Sequence, residues 1–254
     1  MKNKKVSFTC GFLYFICSML LLISCKKSSD TFSTQTLNDY YPLQTGKYIT
    51  YQLDSLVYIS FGTRDSVITN ELKYQVDSLI TDNNGRPAYR VFRLIRKNQQ
   101  DAWRPESTFM VLNTGMNIEF VEDNLKYIKM TAPIQNDKSW KGNSYLSNFI
   151  INNPSYNYLD NWDYTYSNVG GQEVVGNYTL ANTLTINQRN VSDGLPDNPD
   201  AYSEIVFSQE KYAQGIGMVY KKFFRKEYQP NSNGTGGNVA DGSYGVEYTM
   251  IDHN

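Results

Sequence analysis

Aromatic side chains are the first candidates for a binding site in this sequence. The chain contains three tryptophans, Trp103, Trp140 and Trp162, and the last of them is flanked by closely spaced tyrosines. Their flat rings can stack against a sugar or another ligand, but aromatic side chains also fill β cores and form cross-strand pairs. We therefore assign the three tryptophans as candidate ligand-binding residues and keep core packing as the alternative. The neighbouring tyrosines are Tyr156, Tyr158, Tyr164 and Tyr166.

An acidic, proline-containing segment carries the oxygen atoms that a cation would need. Asp193, Asp197 and Asp200 follow one another at short spacing in Asp-Gly-Leu-Pro-Asp-Asn-Pro-Asp. Calcium prefers such carboxylate oxygens, but the spacing does not match an EF-hand loop. We predict no cofactor and no resident metal, with a calcium site at these three aspartates as the alternative.

The sequence contains few candidate catalytic residues. His253 is the single histidine and lies next to the C-terminus, where chain ends are usually loosely held. No Gly-x-Ser-x-Gly elbow, His-Glu-x-x-His pair or phosphate-binding loop is present. Two carboxylate pairs, Glu119 with Glu122 and Asp160 with Asp163, have the residue types of a glycosidase. We predict a non-enzymatic protein and keep a hydrolase of envelope glycans as the alternative.

The N-terminal segment has the features of a bacterial lipoprotein signal. A basic start, Met1–Lys5, precedes an apolar run, Phe8–Ser24, which ends in Leu-Ile-Ser-Cys at position 25. An apolar residue, two permissive positions and a cysteine form a lipobox, in which the thiol accepts diacylglycerol. The competing interpretation is a membrane-spanning helix, for which the run is short. We predict a signal peptide over residues 1–24 and lipidation at Cys25.

The predicted domain boundaries and location follow from this processing. Residues 25–39 are polar and rich in serine and threonine, as expected for a flexible tether, and residues 40–254 are predicted to form one domain. Lys26 follows the cysteine in place of the aspartate that retains lipoproteins in the inner membrane. This favours a lipid-anchored outer-membrane location, with the periplasmic or surface face left open.

Charge and cysteine usage narrow the function classes further. The chain has 24 basic and 25 acidic side chains, and loss of the signal peptide leaves a net charge of about −4. Without a basic excess, nucleic-acid binding is not expected. Cys10 and Cys17 lie in the signal peptide and Cys25 takes the lipid, so no disulfide or thiolate metal site is expected beyond it.

Period-two alternation dominates the rest of the chain. Apolar residues recur at every second position in Lys47–Ile59, Leu72–Thr81, Tyr178–Gln188 and Tyr244–Met250. This pattern is typical of antiparallel strands with one buried face. The tetrapeptide Asp-Asn-Asn-Gly at 82–85 predicts a hairpin turn, and no stretch predicts a helix of 12 residues or more. The predicted fold is all-β, a single strongly curved antiparallel sheet forming a half-barrel or incomplete barrel.

Several short stretches resemble uncharacterised outer-membrane lipoproteins of the Bacteroidota type. Tyr41–Tyr48, read as Tyr-Pro-Leu-Gln-Thr-Gly-Lys-Tyr, resembles their Tyr-Pro-Leu-x-x-Gly-x-aromatic opening, with Tyr48 where many have tryptophan. The resemblance implies an envelope location and a β fold, and no activity. Together with the curved sheet, it suggests a non-enzymatic envelope lipoprotein that binds a glycan, a lipid or an envelope protein.

Overall fold

Thirteen strands account for most of the described chain, and all their pairings are antiparallel. The computed structural model describes residues 35–196, 198–232 and 234–254. The predicted signal peptide, Cys25 and Asp197 therefore lie outside the described residues. The strands are β1 (Tyr48–Ile59), β2 (Arg64–Thr81), β3 (Pro87–Arg96), β4 (Arg104–Asn113), β5 (Asn117–Glu122), β6 (Leu125–Thr131), β7 (Ser139–Lys141), β8 (Asp163–Val175), β9 (Tyr178–Gly194), β10 (Ser203–Ala213), β11 (Gly217–Pro230), β12 (Gly237–Val239) and β13 (Tyr244–His253).

Short helices occupy the connections. Helix α1 (Leu37–Tyr40) precedes the first strand, and α2 (Ser147–Asn152) lies between β7 and β8, flanked by the 3-10 helices Ser144–Leu146 and Pro154–Leu159. Within the part of the chain that the structure describes, no helix is long and apolar enough to span a membrane.

The sheet consists of two meanders joined at one place. Its order is β6-β5-β4-β3-β2-β1-β13-β11-β10-β9-β8-β7, and β12 adds to β11. Strands β1 to β6 follow one another in the chain, as do β7 to β11. The junction is the ladder between the first strand and the last, which runs from Ile49 opposite His253 to Val57 opposite Tyr244. The sheet is nearly closed into a barrel, with one unsealed seam, so the prediction of an all-β, strongly curved antiparallel sheet is confirmed.

Two of the connections between strands are themselves ordered. Asp82 closes the β2–β3 hairpin, because its side chain accepts hydrogen bonds from the backbone N–H groups of Asn84 (2.9 Å) and Arg86 (2.8 Å). The glycine-rich segment before the last strand contains β12, which pairs with the end of β11.

Residues near the start of the described chain also belong to the core. Leu37 and Tyr40 of α1 are buried, although Leu37 falls in the range predicted as tether. The backbone N–H of Gly215, in the β10–β11 turn, donates to the carbonyl of Asp39 at 2.7 Å. This contact ties α1 to the second meander.

The β1–β13 junction generates a stability prediction. Met250 of β13 is fully buried and packs with Tyr51 and Val219. We expect Met250→Ala to lower the free energy of unfolding by about 2–5 kcal/mol, because it leaves a cavity where the meanders meet. Chemical denaturation would measure this loss. The control Met116→Ala removes a side chain that is 62% exposed and should cost less than about 0.5 kcal/mol. Equal losses in the two variants would contradict the assignment.

Candidate functional site

The interior of the barrel contains a cavity of about 670 Å³. Its wall comes from both meanders, from the segment around Tyr41 and from the helical β7–β8 connection. Because neighbouring side chains on a strand alternate between faces, the lining residues of β6, β10 and β13 fall at every second position. The tyrosines that line it are Tyr41, Tyr48, Tyr51, Tyr74, Tyr127, Tyr156, Tyr158, Tyr164, Tyr212, Tyr244 and Tyr248.

A continuous row of aromatic rings crosses the floor of the cavity. Starting at β13, Tyr248 packs against Tyr51 with ring centroids 5.7 Å apart, and Tyr51 packs against Tyr74 at 5.5 Å. The row continues from Tyr74 to Phe109 at 4.9 Å and from Phe109 to Phe120 at 4.5 Å. Burial raises the pKa of Tyr51 and Tyr74 well above the ordinary value. These phenols therefore stay neutral and offer apolar ring faces together with polar hydroxyl groups.

The β7–β8 connection covers one side of the cavity. Phe149 of α2 and Tyr156 and Tyr158 of the following 3-10 helix all line it. Trp162 anchors this cover, since its indole N–H donates to the Tyr158 carbonyl at 2.6 Å and its ring stacks on Phe223 with centroids 6.5 Å apart.

An ion pair crosses the interior between strands that are not neighbours in the sheet. The Lys129 ammonium of β6 lies 2.6 Å from the Glu210 carboxylate of β10, and the Tyr212 hydroxyl donates to the other carboxylate oxygen at 2.7 Å. Burial raises the pKa of Glu210, but the charges of Lys129 and Lys221 and the hydrogen bonds from Lys129 and Tyr212 outweigh it. The pKa therefore lies below its ordinary value, and Glu210 is an anion at neutral pH.

A second charged group lies on the first meander. Arg93 of β3 donates to Glu122 of β5 at 2.6 Å and to Glu106 of β4 at 2.7 Å. Both Arg93 and Glu122 line the cavity, whereas Glu106 does not.

The three tryptophans do not come together. Trp162 lines the cavity, but Trp103 lies on the sheet surface between two cations, with Lys73 4.6 Å and Arg96 4.3 Å from its ring centroid. Trp140 lies at the seam, where its indole N–H donates to the Ile128 carbonyl of β6 at 2.8 Å. The structure thus places only Trp162 where it can contact a ligand in the cavity.

The other predicted site residues are also dispersed. Glu122 lines the cavity, while Glu119 is buried elsewhere against Arg86 (3.0 Å) and Lys126 (2.8 Å). Neither Asp160 nor Asp163 lines the cavity.

The acidic segment and the histidine lie elsewhere. Asp193 and Asp200 are exposed, and their carboxylates accept hydrogen bonds from the backbone N–H groups of Gly194 and Gly236. Among the described residues, no group of three or more His, Cys, Asp or Glu side chains is placed to hold a metal ion. His253 contacts the Tyr178 ring, 5.8 Å away, and does not line the cavity.

Several polar residues of the cavity were missed by the sequence analysis, although their positions carry a signal. Gln188 continues the inward alternation of Leu184 and Ile186, and Glu210 lies between the inward Ser208 and Tyr212. The detectable feature is a polar residue at a position where the alternation predicts burial. An unpaired buried polar group is destabilising, so such a residue needs a partner.

Comparison with known proteins does not assign this chain to a family. No protein-family model matches the chain, and no curated protein matches it. Among solved structures, it is similar to a Bacteroides fragilis protein that is inferred to be exported and has a YmcC-like fold. That similarity has a TM-score of 0.37 and 10% sequence identity, and it covers 84% of this chain and 99% of the other.

The buried ion pair yields a prediction with a pH signature. We expect Glu210→Gln to lower the free energy of unfolding by about 3 kcal/mol at pH 7, because Lys129 loses its counter-charge. The folded-state pKa of Glu210 is depressed, so its contribution is present above about pH 4.3, the pKa of an unfolded glutamate. That contribution is lost as the pH falls through the folded-state value. Urea unfolding at a series of pH values should show the difference between wild type and variant shrinking below about pH 4.

The matched control for this variant is Asp163→Asn. Asp163 pairs with Lys141 at 2.7 Å, but the two side chains are 59% and 50% exposed. Such a surface pair contributes less than about 1 kcal/mol. A Glu210→Gln variant that lost no more stability than Asp163→Asn would show that the interior pair does not stabilise the fold.

Proposed function

We propose that this protein is a non-enzymatic, lipid-anchored protein of the bacterial cell envelope that binds an amphipathic ligand inside its barrel. The observation that carries the proposal is the interior cavity of about 670 Å³. Ligand pockets are concave, mostly apolar and commonly about 300–1,000 Å³, with a few polar groups that orient the ligand.

The chemistry of the wall supports an amphipathic ligand. Rings such as those of Tyr74, Phe109 and Phe120 offer apolar contact, while Lys129, Glu210 and Arg93 bring charge to the same space. A purely hydrocarbon ligand would exclude water from these charged groups without offering a hydrogen bond in its place, and a wholly polar ligand would not match the rings. A ligand with an apolar body and one polar end satisfies both.

The state of Glu210 and Glu122 supports binding in preference to catalysis. A glycosidase needs one carboxyl group held protonated as a general acid. In this cavity the pKa of Glu210 is lowered, and Glu122 accepts a hydrogen bond from Arg93. Both are arranged as ion-pair partners, so a hydrolase remains only the alternative function.

The location rests on the sequence. The Leu-Ile-Ser-Cys ending at Cys25 supports a lipid anchor, and Lys26 after it favours the outer membrane. More than one acyl chain gives durable attachment where a single chain is marginal. We infer that the ligand-binding unit is tethered near the membrane surface by this anchor.

Ligand binding is tested on residues 26–254, exported to a bacterial periplasm and purified gently. The part tested includes all of Gln35–Asn254, which forms one compact unit. Native mass spectrometry should show a discrete additional mass that is released on unfolding. Val246→Trp should abolish it, because Val246 lines the cavity and the larger ring fills that space.

The control is Val174→Trp, which makes the same change where the side chain is 71% exposed. It should retain the additional mass. An apo mass for the wild type, with no uptake of added amphiphiles, would count against the carrier function. The protein would then be better explained as a scaffold that binds another envelope protein.

The lipid anchor is tested by labelling cells with an alkyne-tagged fatty acid. The wild type should incorporate the label and fractionate with the outer membrane, and Cys25→Ala should lose both properties because it lacks the acceptor thiol. Cys17→Ala is the matched control, since that cysteine precedes the predicted cleavage point. Label retained by Cys25→Ala would overturn the assignment.

A further inference from the structure

The inner face of β9 and β10 carries a hydrogen-bond donor without a partner. Gln188 is 3% exposed and lines the cavity. Its side-chain carbonyl accepts a hydrogen bond from the Ser208 hydroxyl at 2.6 Å, but the amide nitrogen Nε2 is buried with no hydrogen-bond partner. A buried donor without an acceptor is destabilising, so Nε2 is suited to an acceptor atom supplied by a ligand.

A cation lies on the same cavity wall as this amide. Lys221 of β11 lines the same cavity and is the cross-strand partner of Glu210. Ser208, whose hydroxyl donates to Gln188, lies opposite Phe223 on β11. Ser208 is therefore the diagonal neighbour of Lys221, which is two residues before Phe223. Diagonal neighbours are about 7–8 Å apart, within reach of a lysine side chain.

The carboxylate next to Lys221 is already engaged. One oxygen of Glu210 accepts from Lys129 at 2.6 Å and the other accepts from the Tyr212 hydroxyl at 2.7 Å. On its other side Lys221 faces the Tyr248 ring, 5.3 Å from the centroid. Among the described residues, no carboxylate lies within ion-pair distance of the Lys221 ammonium. Lys129 therefore pairs with Glu210 while Lys221 has no paired carboxylate, and these three residues together carry one positive charge in excess.

We infer that Gln188 and Lys221 form an anion subsite in the cavity wall, which binds the carboxylate of an amphipathic monoanion whose apolar chain lies along the aromatic rings. This inference rests on the proposed function and specifies its ligand class. The amide donates to one oxygen of the carboxylate, and the Lys221 ammonium supplies the counter-charge. The single excess charge favours a carboxylate over a phosphate monoester, which carries about two charges at neutral pH.

The test compares three probes with the same fourteen-carbon chain, on residues 26–254 purified free of ligand. Isothermal titration calorimetry should show tetradecanoate binding at least about tenfold more tightly than tetradecan-1-ol, the scale of one charge-assisted contact. Tetradecyl phosphate should bind no more tightly than tetradecanoate.

Two variants test whether Lys221 and Gln188 bind the carboxylate. Lys221→Met should weaken tetradecanoate about tenfold or more and leave tetradecan-1-ol unchanged, because only the charge interaction is removed. Gln188→Met, which replaces the amide by an apolar side chain of similar length, should also weaken tetradecanoate, because one donor to the carboxylate is removed. Lys222→Met is the matched control, since this exposed neighbour pairs with Glu247 at 3.2 Å and does not line the cavity. Unchanged thermal unfolding would show that each variant is folded.

The outcomes separate the two proposals. Failure of all three probes to bind would count against the proposed function itself. Equal affinity for acid and alcohol in the wild type would leave ligand binding intact and overturn the anion subsite. Tighter binding of tetradecyl phosphate, lost in Lys221→Met, would overturn the assignment to a carboxylate.

Discussion

The pairing of the first and last strands is the constraint on which the rest of this structure depends. Each meander by itself is a sheet with two open edges, and the β1–β13 ladder converts two such sheets into one curved wall. Its end is reinforced by the C-terminal residue, as the Asn254 side chain accepts from the Tyr48 backbone N–H at 2.7 Å and the Lys47 ammonium donates to the Asn254 carbonyl at 2.8 Å. Since open edges leave backbone groups unpaired, this junction provides both continuity of hydrogen bonding and an enclosed interior.

Strands β6 and β7, at the two ends of the sheet, are joined by individual hydrogen bonds in place of a ladder. At the seam the Ile128 backbone N–H donates to the Gly142 carbonyl at 2.8 Å, and the Trp140 indole donates to the Ile128 carbonyl. The Lys129–Glu210 pair adds a contact across the interior from β6 to the second meander. A barrel that closes through a few polar contacts can enclose a cavity without forcing its two walls into close packing.

The interior combines two properties that are seldom found together in a core. Its tyrosines bury large apolar ring surfaces, while their hydroxyl groups reach polar partners, as when Tyr51 donates to the Met218 carbonyl at 2.8 Å. Lys129 and Glu210 neutralise each other, as do Arg93 and Glu122. The Lys221 ammonium is in no ion pair among the described residues, and the Gln188 amide nitrogen has no hydrogen-bond partner. An interior arranged in this way is costly as a core, since buried polar groups without partners destabilise a fold. In the proposed binding function, the same arrangement leaves partners for one amphipathic ligand.

The amino-acid sequence by itself determined the all-β class and the antiparallel character of the curved sheet, because alternation is a local property of the chain. The same alternation marks Gln188 and Glu210 as inward-facing, since each continues a run of buried residues in its strand. It does not reveal which inward residues meet, because Lys129 and Glu210 are 81 positions apart and lie on strands that are not adjacent in the sheet. Only the tertiary structure decided that Trp162 contacts the cavity while Trp140 closes the seam and Trp103 lies between cations. The three indoles have the same intrinsic chemistry, and the packing of distant strands around each one determines what it can bind.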